Sequence, residues 1–332
     1  MLDLFGQKKN DFLPEISEEE LSDQEVMSEL KQLKQELRED LLILGHHYQQ
    51  NDVISFADIT GDSLALAKHA ANTNMPYIVF CGVHFMAETA DMLTRPDQQV
   101  ILPDLNAGCS MADMANNEQV EKAWEVLVNA SSQKIIPITY INCDAKLKAF
   151  VGRNDGAICT SSNAEDLIKW AFDQGEKLLF FPDQHLGRNT CSKLGIKLDE
   201  MIVYNPNMQN GGVTTRQIKD AKVILWHGYC SVHQGFTAEQ VLAIKKDSPQ
   251  TRVIVHPECS YEVFEAADDA GSTSYIIDKI EQAPAGTSFA VGTEINLVNR
   301  LNDKYADKQI KSLSPYQCLC TTMYRVRPRW LL

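Results

Sequence analysis

Three cysteines follow β-rich stretches of the chain, each in a short polar setting. They are Cys109 in Asn106-Ala-Gly-Cys109-Ser-Met, Cys230 in His227-Gly-Tyr-Cys230-Ser-Val-His233 and Cys320 in Gln317-Cys318-Leu-Cys320-Thr-Thr-Met323. Thiolates are soft ligands that suit iron or zinc. Three of them hold a metal centre but leave one coordination position open, which a Lewis-acid site requires. The sequence therefore predicts a metal centre with three cysteine ligands.

Composition and charge narrow the class of protein. The chain has 332 residues, 44% of them hydrophobic and 23% charged, and its formal net charge is −14. Such a surface does not attract nucleic acid or anionic lipid, so we expect neither as a partner. Nine cysteines, an odd number, are atypical of a secreted disulfide framework. No apolar run approaches the roughly 20 residues that span a bilayer. No signal peptide is evident, and we expect a cytoplasmic protein.

Short apolar runs alternate with amphipathic segments, a pattern typical of parallel sheets covered by helices. The predicted strands are Leu41–Leu44, Tyr77–Phe80, Val100–Leu102, Ile135–Ile138, Gly156–Ile158, Leu178–Phe181, Val223–Leu225, Val253–Val255 and Ser288–Val291. Before them, residues 15–40 are predicted to form a helix, because acidic residues crowd its start and basic residues its end.

The residues that follow these strands repeat along the chain. The first strand of each block ends in polar residues two positions apart: His46 and Tyr48, Tyr140 and Asn142, His256 and Glu258. The turns that follow the second strand of each block align as Cys81-Gly-Val-His84, Thr160-Ser-Ser-Asn163 and Gly271-Ser-Thr-Ser274. The turns that follow the third strand of each block align as Leu102-Pro-Asp104, Phe181-Pro-Asp183 and Gly292-Thr-Glu294. The repeat predicts an α/β protein of three similar three-layer αβα units with short parallel sheets.

The carboxyl ends of parallel strands are where function collects in such folds, so the three units are expected to converge on one cavity. The predicted organisation is an N-terminal helical segment (1–40), unit 1 (41–125) with Cys109, unit 2 (126–235) with Cys230, and unit 3 (236–332) with Cys320. Unit 2 carries a predicted insertion at 189–222, whose turn-rich part is interpreted as a surface segment or a lid.

A set of motifs, taken together and in order, resembles the quinolinate synthase family from about Leu41 to Met323. No single motif is specific, but the combination is. The motifs are Gly45-His-His-Tyr48, Gly61-Asp-Ser63, Ala107-Gly-Cys109, Tyr140-Ile-Asn142, Thr160-Ser-Ser162, Leu186-Gly-Arg188, Gly228-Tyr-Cys230-Ser-Val-His233, His256-Pro-Glu258, Gly271-Ser-Thr273, Gly292-Thr-Glu294 and Cys320-Thr-Thr-Met323.

The resemblance implies three αβα units in a pseudo-threefold arrangement around a central active site, which agrees with the repeat. It implies an enzyme of NAD biosynthesis that condenses iminoaspartate with dihydroxyacetone phosphate to quinolinate, with loss of phosphate and two waters. It also implies a [4Fe-4S] cluster with three cysteine ligands and one iron open to substrate. Iminoaspartate is unstable, so an aspartate-oxidising enzyme is the expected functional partner.

The resemblance and the strand-end positions together suggest a role for each candidate residue. Cys109, Cys230 and Cys320 are the predicted cluster ligands. Tyr48 and Glu258 are the predicted acid/base pair for proton transfer and loss of water. The residues predicted to bind substrate carboxylates and phosphate, or to orient substrate, are His46, Ser63, Tyr140, Asn142, Ser161, His256, Ser272 and Thr273.

Some alternatives stay open. Cys320 is preferred to Cys318 as a ligand because Cys-x-x-Met matches the family motif. Cys259, beside the predicted base, has no assigned role. His233 either contacts substrate or supports the cluster. The competing functions are another [4Fe-4S] hydro-lyase that acts on a small hydroxy acid, a zinc protein with the same ligands, and a non-catalytic iron–sulfur sensor.

Overall fold

The structure is a computed structural model that describes residues 21–316 and 318–332. Within these residues the strands form three parallel sheets, each covered by helices. The prediction of an α/β protein with three similar αβα units and short parallel sheets is therefore confirmed. We refer to each sheet with its helices as a unit. The pseudo-threefold relation between the units stays a prediction.

The first unit contains a four-stranded sheet with the order β2-β1-β3-β4. Its strands are β1 (Leu41–His46), β2 (Ile59–Gly61), β3 (Tyr77–Cys81) and β4 (Gln99–Ile101). The helices up to the second unit are α1 (Asp23–Glu36), α2 (Asn51–Ile54), α3 (Ser63–Asn72), α4 (His84–Leu93) and α5 (Asn117–Ala130). Helix α1 begins at Asp23 because Ser22 and Glu25 form a capping box. Residues 15–20 of the predicted helix lie outside the described residues.

The second unit contains a five-stranded sheet with the order β6-β5-β7-β9-β8. Its strands are β5 (Ile135–Tyr140), β6 (Ala157–Cys159), β7 (Lys177–Phe181), β8 (Met201–Tyr204) and β9 (Val223–Trp226). Its helices are α6 (Ala145–Arg153), α7 (Ala164–Gln174), α8 (Gln184–Lys193) and α9 (Thr215–Asp220). The segment 189–222, predicted as an insertion, starts inside α8 and supplies both α9 and the edge strand β8, which pairs in parallel with β9. Much of this segment is therefore part of the unit's sheet and helices.

The third unit contains a four-stranded sheet with the order β11-β10-β12-β13. Its strands are β10 (Arg252–Val255), β11 (Asp269–Ala270), β12 (Ser288–Gly292) and β13 (Gln309–Ser312). Its helices are α10 (Ala238–Asp247), α11 (Tyr261–Ala266), α12 (Thr273–Glu281) and α13 (Ile295–Lys304).

The strand orders correct the predicted alignment of the repeat in the first unit. Strands β2, β6 and β11 occupy the same edge of their sheets. The turn that corresponds to Thr160 and Gly271 is therefore Gly61-Asp-Ser63, and Cys81-Gly-Val-His84 corresponds to the turn after β7. The sequence pattern missed β2 because that strand has only three residues, of which only one is buried. So short an edge strand gives no apolar run.

The units share their apolar interior. One core contains Leu44 and Phe80 from the first sheet together with Ile138 and Phe180 from the second. The predicted boundary after residue 125 falls inside α5, whose buried side chains pack in a core of the second unit. The division into segments 1–40, 41–125, 126–235 and 236–332 stays a prediction.

Candidate active site and metal centre

One cavity brings together the predicted site residues of all three units. Its volume is about 80 Å³. Among the residues that line it are His46, Tyr48, Ser63, Cys109, Tyr140, Asn142, Ser161, Cys230, His256, Glu258, Thr273 and Cys320. Ser272 caps the N-terminus of α12 and lines a neighbouring pocket that also contains Ser161. The first strands β1, β5 and β10 thus deliver their polar ends to one place.

Each of the three cysteines begins the same local turn. The carbonyls of Cys109, Cys230 and Cys320 accept the N–H of the fourth residue after them at 3.0, 2.9 and 3.0 Å. A short 3-10 helix starts three residues after each cysteine, at Ala112–Met114, His233–Gly235 and Met323–Arg325. Such a repeat at three distant places in the chain indicates a shared role.

The three thiols lie close enough to influence one another. Burial, together with the neighbouring Cys320, raises the pKa of Cys109 to about 12. Burial also raises the pKa values of Cys320 and Cys230. Both other thiols, Cys109 and Cys320, contribute to the raised pKa of Cys230. The backbone N–H groups of Ala112, His233 and Met323 oppose this effect, each from three residues after its cysteine.

The donor set fits the cluster that the family resemblance implies. Three buried thiols with N–H groups beside them are suited to bind iron as thiolates, because a cation removes the cost of ionising them. Cys320 lines the cavity, whereas Cys318 is 7% exposed and packs in an apolar core of the third unit with Cys259. The geometry therefore supports Cys320 rather than Cys318 as the third ligand.

A hydrogen-bond path joins the predicted acid/base pair. His233 Nδ1–H donates to Glu258 Oε2 at 2.9 Å, since an ionised carboxylate can only accept. His233 Nε2 then accepts from the Thr293 hydroxyl at 3.3 Å. Thr293 Oγ1 in turn accepts from the Tyr48 hydroxyl at 2.9 Å. We call these four residues the Tyr48–Glu258 path.

The environment gives the two ends of the path opposite proton affinities. Burial alone would raise the pKa of Glu258, but His256 and His233 beside it hold that pKa below its usual value. Burial raises the pKa of Tyr48, and the charge of Glu258 raises it further. Glu258 is therefore an ionised carboxylate and Tyr48 a neutral phenol.

The two histidines at the ends of β1 and β10 are neutral. Burial lowers the pKa of both His46 and His256 to about 3. Nδ1 of His46 accepts the N–H of Tyr48 at 3.1 Å, and Nδ1 of His256 accepts the N–H of Glu258 at 3.4 Å. The ring proton therefore sits on Nε2 in each. As neutral rings, these side chains can bind a substrate anion as N–H donors.

Two acidic residues near the site were seen in the sequence only as parts of motifs. Asp183 accepts the N–H of Leu186 at 2.7 Å at the start of α8, and the nearby N–H of Cys230 opposes the rise that burial causes in its pKa. Glu294 caps α13, and the nearby N–H of Cys320 opposes the rise that burial causes in its pKa. Each carboxylate thus lies between a helix N-terminus and a predicted ligand loop. Their shared position after the third strand was the available signal.

Thr293 was missed as a site residue. It is fully buried, and its hydroxyl contacts both Tyr48 and His233. The structure also groups Cys230, His233 and Glu258, whose ligand atoms lie within 4.8 Å of one another. That group is the geometric basis for the alternative of a single metal ion.

Comparison with known proteins establishes the family. The family model described as Quinolinate synthetase A protein matches residues 28–332. The chain belongs to the quinolinate synthase family. It is 54% identical to the quinolinate synthase of Bacillus cytotoxicus over 307 residues, 92% of this chain and 83% of that relative. It is 52% identical to the quinolinate synthase of Streptomyces coelicolor over 310 residues, 92% of this chain and 79% of the relative. With that of Anoxybacillus flavithermus, identity is 53% over 320 residues, 96% and 87% of the two chains.

Membership of the quinolinate synthase family makes this chain an enzyme of NAD biosynthesis that acts on small molecules. The prediction of the family from the ordered motifs is confirmed. In the part of the chain that the structure describes, no helix has the length and apolarity to cross a membrane.

Proposed function

We propose that this quinolinate synthase condenses iminoaspartate with dihydroxyacetone phosphate to quinolinate, releasing phosphate and two waters. The supporting observation is the single cavity in which three cysteine thiols and the Tyr48–Glu258 path face one another. A [4Fe-4S] cluster held by Cys109, Cys230 and Cys320 would supply a Lewis acid at its open iron.

Glu258 and Tyr48 act as base and acid in this proposal. The Glu258 carboxylate accepts from His233 at Oε2 and also from the Tyr140 hydroxyl, and in this proposal it takes a proton from substrate. Tyr48 donates its hydroxyl proton to a leaving oxygen. A proton returns from Glu258 to Tyr48 along this path only if each hydrogen bond reverses its direction and the ring proton of His233 moves to Nε2.

Three helix N-termini supply the anion-binding part of the proposed site. Ser63 is the first residue of α3, Thr273 the first of α12, and Ser161 precedes α7. Hydroxyls and backbone N–H groups at helix starts favour carboxylates and phosphate. Tyr140 and Asn142 line the cavity from the second unit and would orient the substrate.

The supply of substrate and the compartment are part of the proposal. Iminoaspartate is unstable, which favours an aspartate-oxidising enzyme as its source. Thiol ligands and an odd number of cysteines favour the reducing cytoplasm.

An oxygen-free preparation tests the assignment. Iron, sulfide and zinc are measured, and quinolinate formation is assayed with iminoaspartate and dihydroxyacetone phosphate. We expect the protein to contain a [4Fe-4S] cluster. We expect it to form quinolinate only when both substrates are present. A fully loaded cluster with no quinolinate would refute the proposal, and turnover of a hydroxy acid alone would indicate a hydro-lyase. Zinc without iron would indicate the single-ion alternative.

Cys320→Ser should lose iron, and its matched control Cys318→Ser should retain it.

A further inference from the structure

Asn189 forms hydrogen bonds to the turn that carries Glu258, although the two residues belong to different units. It lies in α8 of the second unit and is fully buried. Its Nδ2 donates to the carbonyls of Pro257 and Cys259, at 2.9 and 2.8 Å. These carbonyls precede and follow Glu258, so one amide fixes the backbone on both sides of it.

The polar atoms of Asn189 contribute only to this turn. Among the described residues, its Oδ1 has no hydrogen-bond partner and is buried. Burying an amide with one side unsatisfied is unfavourable, and an apolar side chain would fill the same space at lower cost. The two hydrogen bonds to the Pro257 and Cys259 carbonyls compensate for this cost, which indicates that Asn189 sets the position of Glu258.

Arg300 makes the same arrangement around Tyr48. It lies in α13 of the third unit, and its Nη1 donates to the carbonyl of Gln49 at 2.7 Å. Its Nη2 donates to the carbonyl of His47. These carbonyls precede and follow Tyr48, as the other pair flanks Glu258.

The two arrangements occupy corresponding places in the fold. Helices α8 and α13 each follow the third strand of their unit, and the turns they hold each follow the first strand of another unit. The side chains differ, an amide in one case and a guanidinium in the other, but each supplies two N–H bonds to two flanking carbonyls. Two occurrences of one geometry, at the two ends of one hydrogen-bond path, make a packing coincidence a poor explanation.

We propose that Asn189 and Arg300 are positioning residues that set the two ends of the Tyr48–Glu258 path from neighbouring units. The inference rests on the proposed catalytic roles of Tyr48 and Glu258. The path runs through hydrogen bonds of 2.9 to 3.3 Å between residues of different turns, so a small displacement of either turn interrupts it.

The test compares Asn189→Leu with Asn154→Leu in cluster-loaded protein under anoxic conditions. Leucine has the same branched arrangement of heavy atoms as asparagine but donates nothing. Asn154 is the control, because its Nδ2 donates to the Phe150 carbonyl at 2.9 Å in the same unit and it does not line the cavity. Asn189→Leu should lower kcat by about 10- to 100-fold with little change in either KM. Hydrogen exchange should accelerate in residues 256–260, whereas Asn154→Leu should change neither property.

Arg300→Ala provides the second arm. It should lower kcat in the same way and accelerate exchange in residues 46–50, and Arg300→Lys should restore part of kcat because its single nitrogen can still donate to one of the two carbonyls. This arm also decides the matter if Asn189→Leu does not fold. Faster exchange at a turn with an unchanged kcat would overturn the proposal. So would a loss of kcat with exchange unaltered at both turns.

Two further variants separate this inference from the proposed function. Glu258→Gln and Tyr48→Phe, assayed in the same way, should retain iron and lose turnover. If they turn over at the wild-type rate, the acid/base assignment is wrong and positioning has no target. If they lose turnover while Asn189→Leu and Arg300→Ala do not, the assignment stands and the positioning role is wrong.

Discussion

The Thr293 hydroxyl connects two residues that are far apart in the sequence. It accepts from Tyr48 and donates to His233, and no other side chain of the described residues bonds to both. A hydroxyl is the smallest group that can accept and donate at once, which suits a proton path through a fully buried position. The residue therefore belongs to the chemistry of the proposed site although it need not touch substrate.

Thr293→Val tests the path at this residue. Valine has the same shape but neither donates nor accepts, so both bonds are lost. We expect kcat to fall about 100-fold, the scale of a single acid/base contribution, with KM nearly unchanged. Thr293→Ser keeps the hydroxyl and should retain most of kcat. Steady-state kinetics on cluster-loaded protein measures both. A valine variant with wild-type kcat would show that no proton moves along this path.

Sequence reasoning found the residues of the site whose local setting is distinctive. The cysteine turns and the polar pairs after first strands follow a repeat, and the family motifs add Ser63, Ser161 and Thr273, so the twelve predicted site residues that line the cavity could be chosen without coordinates. Asn189 and Arg300 could not be found in this way. Each acts on backbone carbonyls of another unit, and a carbonyl leaves no trace in a sequence. Only the nearby Leu186-Gly-Arg188 motif marked α8 as unusual.

Helix α8 must pack closely against the second sheet for Asn189 to reach the Glu258 turn. A Cβ atom added to Gly187 would lie 2.7 Å from Phe180 Cδ1 and 2.8 Å from Leu225 Cδ2. Both neighbours are fully buried side chains of the second sheet. The glycine lets the helix lie directly against the sheet, and this depth places Asn189 within reach of the Glu258 turn.

Gly187→Ala should displace α8 and disturb the turn that it holds. We expect a loss of about 1–3 kcal/mol of unfolding free energy from overpacking, together with a lower kcat. Gly152→Ala is the matched control, because it also lies in a helix, α6, and nothing lies within 4 Å of its added Cβ. That variant should be neutral or stabilised by about 0.5–1 kcal/mol. Urea unfolding gives both free energies. Equal stability of the two variants would contradict the close-packing argument.

The strands show what a sequence pattern can detect at the level of elements. The buried strand β7 is apolar along most of its length and was predicted nearly in full. Strands β2 and β11 have three and two residues and escaped prediction, because an edge strand of that length needs no apolar run. Strand β8 was taken for part of an insertion because the stretch from Asp183 to Cys230 is far longer than that from Asp104 to Cys109. Its place was determined by pairing with β9, which is a tertiary effect.

At the scale of the whole molecule, the contacts between units are as important as those within them. The apolar core joins the first and second sheets, and Tyr48 packs against both that core and a core of the third unit. Asn189 links the second unit to the third, and Arg300 links the third to the first. A site assembled from three units requires these links, because no unit alone contains the three thiols or both ends of the path.

The three units should therefore unfold together. Trp226 is fully buried in the second sheet, and its fluorescence in urea reports on that unit in a variant whose other tryptophans, Trp124, Trp170 and Trp330, are replaced by phenylalanine. Hydrogen exchange in β1 and β12 reports on the first and third. We expect one shared midpoint in the metal-free protein, because losing one unit exposes the cores of its neighbours. Loading the cluster should raise all three midpoints equally, since its proposed ligands come from all three units and binding favours only the folded state. A third unit that unfolds at lower urea than Trp226 reports would show that the links between units contribute little to stability.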